Sequence, residues 1–172
     1  MTDEPPTGDT ILGSLSTAEG RGVVRVTDHF ATEPDDLWSA LTTPARLASW
    51  LGDVDGDLQA GGEFRARFFA SGWEGTGRVQ TCEPPRRFVV RTRDPDEPDE
   101  HRIEATLTAD GHRTTLVVEE RGMGPELLAA YGAGVQIHVE DLRAYLDGRE
   151  RRDAQARWQE LIPAYERLLA GG

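Results

Sequence analysis

Apolar and polar residues alternate through the middle of the chain, between about residues 54 and 121. This period of two is typical of strands that bury one face and expose the other. The alternation is clearest at 64–68, 88–91, 103–107 and 115–118. Glycine and proline interrupt it, and the pair Asp110-Gly111 favours a tight hairpin turn. The middle of the chain is therefore predicted to form about five antiparallel strands.

Two further apolar stretches, at 11–15 and 23–26, precede this region and are separated by a loop that contains glycine. They predict a hairpin whose second strand runs to about Phe30. An exposed strand edge near residues 11–16 would offer a surface for pairing with a second copy, so a homodimer is left open.

Apolar residues recur with helical spacing at three places outside the strands. Thr32 and Asp35 match a capping box, and Thr43-Pro44 matches a second helix start, so two short helices should follow the first long strand. A longer stripe runs over 127–146 and stops at Gly148. It predicts a helix of about 20 residues, which would be about 30 Å long.

A final amphipathic segment contains Pro163, which should kink or interrupt its helix near Ile162. Strands and helices thus cluster along the chain instead of alternating, which favours an α+β fold with an antiparallel sheet. One domain is predicted over 11–170. Residues 1–10, which are rich in Pro, Asp and Thr, are expected to be a disordered leader.

The composition excludes several classes of chemistry. The 172 residues include 31 acidic and 19 basic side chains, giving a formal net charge of −12, so neither nucleic acid nor membrane insertion is predicted. Every basic residue is Arg, which rules out Schiff-base and P-loop lysine chemistry. Cys82 is the only cysteine, so a disulfide and a cysteine-based zinc site are excluded. The first residues lack the features of a signal peptide, and a cytoplasmic protein is expected.

Several short motifs occur in a fixed order that resembles the AHSA1-type branch of the START-like superfamily, also called SRPBCC or Bet v 1-like. They are WSALTTPARLASWL at 38–51, DLQAGGEF at 57–64, GRV at 77–79, EPPRRF at 83–88, TTLVV at 114–118 and the glycine-led helix start at 134–142. The resemblance covers about residues 11–169.

This resemblance implies a helix-grip fold, in which a bent antiparallel sheet of about six or seven strands wraps around a long C-terminal helix. Two small helices close one end, and an apolar cavity lies between sheet and helix. Members bind or transform hydrophobic small molecules, and the namesake proteins stimulate the ATPase of the chaperone Hsp90. Val135 stands where the family usually has Trp, and Thr92 or Arg93 where it often has a second one. These smaller residues are expected to enlarge or reshape the cavity.

The resemblance and the large rings together give a set of candidate ligand-binding residues. Trp50 and Trp73 lie beside turns near the predicted mouth of the cavity, and Tyr131, Val135 and His138 share one face of the long helix. The full set is Trp50, Phe64, Phe68, Trp73, Val79, Tyr131, Val135 and His138. The sequence shows no metal-ligand spacing and no cofactor motif, so neither a metal nor a cofactor is predicted.

His138 and Glu120 are the candidate catalytic residues. His138 should point into the cavity, where a neutral imidazole could orient a ligand or act as a general base; alternatively, it is a core histidine bonded to the backbone. Glu120 follows an inward-facing alternation and could share proton transfer with His138, or reach solvent or a salt bridge at the strand end. His29, His101 and His112 are expected to be exposed.

The leading hypothesis is a protein that binds a hydrophobic or aromatic small molecule without chemical turnover. An aromatase/cyclase-like or hydrolase-like enzyme that uses His138 and Glu120 is the first alternative. A module that modulates a chaperone or another protein partner is the second. The loop 94–100, which holds five carboxylates, is expected to be a solvated hairpin loop.

Overall fold

The computed structural model describes residues 10–171; residues 1–9, which make up most of the predicted leader, and residue 172 lie outside the described residues. The strands are β1 (Gly13–Ala18), β2 (Arg21–Phe30), β3 (Gly52–Gly56), β4 (Glu63–Phe68), β5 (Glu74–Glu83), β6 (Arg87–Arg93), β7 (His101–Asp110) and β8 (Arg113–Arg121). They form one antiparallel sheet in the order β1-β2-β8-β7-β6-β5-β4-β3. The predicted α+β class and helix-grip arrangement are confirmed.

The described residues form eight strands, slightly more than the six or seven predicted, and β3 is the strand that the alternation did not reveal. Its sequence, Gly-Asp-Val-Asp-Gly, holds a single apolar residue, Val54, so it shows no period of two. At the edge of the sheet it pairs with β4 alone. A Cβ atom on Gly52 would lie 2.1 Å from the carbonyl oxygen of Arg67, so the close approach of the two strands requires glycine here.

The helices are α1 (Pro34–Thr42), α2 (Pro44–Leu47), α3 (Leu128–Leu146) and α4 (Ala154–Ala170), with a 3₁₀ turn at Pro125–Leu127 before α3. The predicted capping box is wrong: Glu33 is the N-cap residue of α1, and the hydroxyl of Thr32 instead donates to the carboxylate of Asp36 at 2.7 Å. Within residues 10–171, no helix is long and apolar enough to cross a membrane.

Helix α4 continues through Pro163, so of the predicted kink or interruption near Ile162 the interruption is wrong and the kink stays a prediction. A proline removes the hydrogen bond to the carbonyl four residues earlier, which here belongs to Gln159. Both Gln159 and Pro163 are exposed, so water can bind the freed carbonyl oxygen. The buried side of α4 carries Leu161 and Tyr165, and their packing keeps the helix in place.

Helix α3 lies between the sheet and α4, and thirteen of its nineteen residues are buried. On the sheet side, Val135, Val139 and Leu142 belong to the main apolar core. On the other side, Ala133 and Ile137 form a second core with α4. The sequence predicted one apolar stripe on this helix, whereas the structure buries both sides of it.

Two buried ion pairs hold α3 in position. Near its C-terminal end, Arg143 binds the carboxylate of Asp28 on β2 through two nitrogens, at 2.7 and 3.1 Å. On the side of α4, Arg157 binds both carboxylate oxygens of Glu140, at 2.7 and 2.8 Å. Bidentate pairs of this kind fix direction as well as distance.

Gln136 extends the second pair into a hydrogen-bond network. Its amide nitrogen donates to Glu140 and to the carbonyl of Thr10, both at 2.9 Å. Its amide oxygen accepts from the backbone of Leu12 at 2.9 Å and from the hydroxyl of Tyr165 at 2.7 Å. The start of the described chain, α3 and α4 therefore meet at one buried side chain, and residue 10, the last of the predicted leader, takes part in the fold.

Replacing Glu140 by Ala should lower the free energy of unfolding by about 3–5 kcal/mol, because it leaves the buried guanidinium of Arg157 without its bidentate partner. Glu160→Ala is the matched control. It removes the other carboxylate bound to Arg157, at 2.6 Å, but the Glu160 side chain is 49% exposed and the loss should be about 1 kcal/mol or less. Urea denaturation followed by circular dichroism measures both changes, and equal losses would contradict the assignment.

Candidate ligand cavity

A cavity of about 470 Å³ lies between the sheet and α3. The sheet supplies alternate residues of its inward face, such as Ile103 and Ala105 from β7, and most of the wall is apolar. The segment from α1 to β3 closes part of the cavity through Leu41, Leu47, Trp50, Leu51 and Val54. The period-two pattern of the sequence therefore builds the wall of one internal space.

Seven of the eight predicted ligand-binding residues border this cavity. They are Trp50, Phe64, Phe68, Trp73, Tyr131, Val135 and His138. Val79 is the exception: it is 1% exposed and is not among the lining residues. The backbone of Val79 donates to Gly62 and accepts from Gly61, both at 2.8 Å. Contact of any of these residues with a ligand stays a prediction.

Trp158 of α4 is not among the residues that the sequence singled out. It borders the cavity, and its indole ring lies on Gly134 of α3, where a Cβ atom would be 3.0 Å from the ring. The glycine in the middle of a helix was the available signal, because such a residue often marks a close approach. Thr92 and Val135, where the family motifs commonly have Trp, also border the cavity.

His138 is a polar group in an apolar part of the wall. Its ring packs edge-on against Phe68, with 5.1 Å between ring centroids. Its Nδ1 atom is buried and has no hydrogen-bond partner among residues 10–171, so the alternative of a backbone bond at this atom is not observed. Burial lowers the pKa of His138 to about 4, and the ring is neutral at pH 7. A neutral imidazole can exchange a hydrogen bond with a hydroxyl or carbonyl group of a ligand.

Glu120 borders the cavity as expected, but its hydrogen-bond partner is His101 and not His138. The distance between Glu120 Oε2 and His101 Nδ1 is 2.7 Å. His101 was expected to be exposed, and this is wrong, since it is 7% exposed. It is the first residue of β7 and shares a face with Ile103, which stands opposite Glu120 in the sheet. Because His101 lies beside a loop in the sequence, its position in the strand register was not predicted.

Two opposing effects act on the pKa of His101. Burial alone would lower it, but the hydrogen bond to Glu120 and the negative charges of Glu120 and Glu97 outweigh burial, and the net direction is upward from 6.5. The more distant charge of Arg21 acts in the opposite sense. His101 is therefore held toward its charged form, whereas His138 is held neutral.

The acidic loop between β6 and β7 completes what we call the polar end of the cavity: Asp94, Glu97, His101, Glu120 and Tyr131. Asp94 and Glu97 border the cavity, so this loop is only partly the solvated surface that was expected. Glu97 Oε2 lies 3.5 Å from His101 Nε2, and the rings of His101 and Tyr131 are 5.1 Å apart. Burial, and then the charges of the three carboxylates, raise the pKa of Tyr131 to about 12.

The fold and the cavity define a helix-grip protein with an internal space of the size that small molecules occupy. The family model described as Activator of Hsp90 ATPase homolog 1-like protein matches residues 31–147, and the chain belongs to this family, the AHSA1-type branch of the START-like superfamily.

Solved structures support this assignment. The crystal structure of CalU16 from Micromonospora echinospora shares the fold, with a TM-score of 0.76 and 24% identity over 91% of this chain and 95% of that one. DynU16, described as a protein of the dynemicin biosynthetic locus, is 29% identical over 76% of this chain and 49% of its own, with a TM-score of 0.69. Protein MLL2253 from Mesorhizobium loti is 26% identical over 73% of this chain and 97% of its own, with a TM-score of 0.65. A search of curated proteins gave no match.

Acid should destabilise the protein through His138. The unfolded imidazole has a pKa near 6.5 and the folded one a pKa of about 4, so the unfolded state binds more protons below pH 6.5. The part of the free energy of unfolding that depends on neutral His138 is present above pH 6.5. It is lost as the pH falls toward 4, and the loss is about 2 kcal/mol at pH 4.5. His138→Phe should remove this part of the loss. Urea denaturation at pH 7 and pH 4.5 tests it, and the same loss in parent and variant would contradict it.

Proposed function

We propose that this protein binds a hydrophobic or aromatic small molecule in the cavity between the sheet and α3. The observation that carries the proposal is the cavity itself, about 470 Å³ in volume and walled mainly by apolar side chains. Ligand sites of proteins are commonly 300–1,000 Å³, lined by apolar and aromatic groups with a few polar atoms that orient the ligand.

The aromatic residues of the wall favour a flat, apolar ligand. The ring centroids of Phe68 and Trp73 lie 4.9 Å apart on one side of the cavity, and the two rings are tilted by 34°. On another side, Trp38 packs edge-on against the lining residue Phe88. Rings held in this way offer large apolar surfaces at little entropic cost to a bound molecule. The unpaired Nδ1 atom of His138 supplies a hydrogen bond for a hydroxyl or carbonyl group on that molecule.

The similarity to DynU16, which is described as a protein of a biosynthetic locus, supports a product or intermediate of small-molecule biosynthesis as the ligand class. An enzyme that uses His138 and Glu120 stays a prediction, and the bond between Glu120 and His101 changes which residues it would employ. Modulation of a chaperone and formation of a homodimer also stay predictions, because no contact among residues 10–171 bears on either.

Filling part of the cavity should weaken binding. Val135→Trp places an indole in the wall at a position where the family usually has Trp, so the fold should accept it. N-phenyl-1-naphthylamine, an apolar dye that fluoresces when it leaves water, should bind the parent saturably. The variant should bind at least about tenfold more weakly, a loss of about 1.4 kcal/mol.

Val117→Trp is the matched control, because Val117 lies on β8 between two lining residues but on the opposite face of the sheet. It should bind the dye like the parent, and thermal unfolding should show that both variants are folded. Absence of saturable binding to the parent, or equal affinities in all three proteins, would refute the proposal.

A further inference from the structure

The two ends of the cavity differ in charge. Three carboxylates, those of Asp94, Glu97 and Glu120, border the polar end. No arginine is among the lining residues that the structure describes, although the chain contains 19. The three carboxylates outnumber the imidazole of His101, so the polar end is negative overall even when that imidazole is charged. The cavity thus concentrates negative potential at one end of an apolar space.

Two arginines near the polar end are directed elsewhere. Arg121 follows Glu120 on β8 and therefore lies on the outer face, where it donates to Glu119 at 2.6 Å. Arg21, whose charge reaches His101, forms an ion pair with Asp99 outside the cavity and is 43% exposed. His101 is therefore the only cationic group among the described lining residues that can balance the carboxylates.

The carboxylates are not arranged for a metal ion. Within residues 10–171, no group of three or more His, Cys, Asp or Glu could hold one. Glu97 and Glu120 instead stand on opposite sides of the imidazole of His101, at 3.5 Å from Nε2 and 2.7 Å from Nδ1. A larger cation with several N–H donors, such as an organic ammonium group, can satisfy separated carboxylate oxygens, and the ring of Tyr131 beside them can stabilise it further.

His138 is the second polar group of the cavity, and its distance from Tyr131 sets the length of a ligand that reaches both ends. It lies seven residues after Tyr131 on α3, which places the two side chains on one face about 10 Å apart along the helix axis. Its buried Nδ1 atom lacks a partner among the described residues, so the apolar end of the cavity also contains one unfilled hydrogen-bonding position. A ligand that fills both positions has a neutral polar group at one end and a cation at the other.

We propose that the ligand is an apolar molecule about 10 Å long that carries a protonated amine, bound at the polar end by Glu97 and Glu120, and a hydroxyl or carbonyl group bound by His138. This inference rests on the proposed function and specifies its ligand class. Three carboxylates share the single imidazole of His101 at this end, and a protonated amine supplies a second group that can donate charge-assisted hydrogen bonds to them.

Three probes test the charge preference. They share a hydroxybiphenyl body, and the far end carries an aminomethyl, hydroxymethyl or carboxylate group. Calorimetric titration of the full chain should give the tightest binding for the amine, at least about tenfold tighter than for the alcohol, since charge-assisted hydrogen bonds contribute about that much or more. The carboxylate should bind most weakly because it meets like charge.

Neutralising one carboxylate at a time locates the site. Glu120→Gln and Glu97→Gln keep the shape of the side chain and should each reduce the preference for the amine several-fold, while binding of the alcohol stays within about threefold of the parent. Glu119→Gln is the matched control: its side chain is 13% exposed against 12% for Glu120, but it lies on the outer face. It should leave the preference unchanged.

The outcomes separate this inference from the proposed function. Equal affinities for all three probes, or tightest binding of the carboxylate, would overturn the amine site and leave the hydrophobic cavity as the binding site. A probe that the parent converts chemically and Glu120→Gln does not would replace amine recognition by a proton-transfer role for the Glu120–His101 pair. If neither these probes nor the apolar dye binds, the proposed function itself fails.

Discussion

The position of α3 between the sheet and α4 determines the rest of the structure, and buried ion pairs fix that position. Arg157 and Glu140 join α3 to α4, and Arg143 and Asp28 join it to β2. Such pairs add little net stability compared with apolar packing, but they have one good geometry. A purely apolar interface could shift until α3 filled the space above the sheet. We infer that the ion pairs keep the helix at the distance at which a cavity remains.

Small residues on α3 then leave that space unfilled. Ala130, Gly134 and Val135 border the cavity, and Trp158 of α4 closes its flank by lying on Gly134. A ligand that binds only the folded chain stabilises it by RT ln(1 + [L]/Kd), so a ligand of the proposed cavity would raise the free energy of unfolding as its concentration exceeds Kd.

Much of the fold was predictable because it depends on local periodicity. The alternation at 64–68 gave β4 and the lining residues Phe64 and Phe68, and the ordered motifs gave the family. Features that depend on neighbours distant in sequence were not predictable. The short edge strand β3 has too few apolar residues to show alternation, and α4 tolerates Pro163 because that side faces water.

The site shows the same division. His138 was predictable from its place on the helical stripe, but the partner of Glu120 follows from strand register, which one sequence does not reveal.

The strand register that joins Glu120 to His101 makes the two ends of the cavity chemically different. Two carboxylates raise the pKa of His101 and hold it toward its charged form, whereas His138, two turns along α3 from Tyr131, is kept neutral by burial. A symmetric apolar molecule would leave Nδ1 of His138 without a hydrogen bond and would bring no cation to the carboxylates at the other end. A ligand of the proposed class, with two different ends, matches the two ends of the cavity in one orientation only.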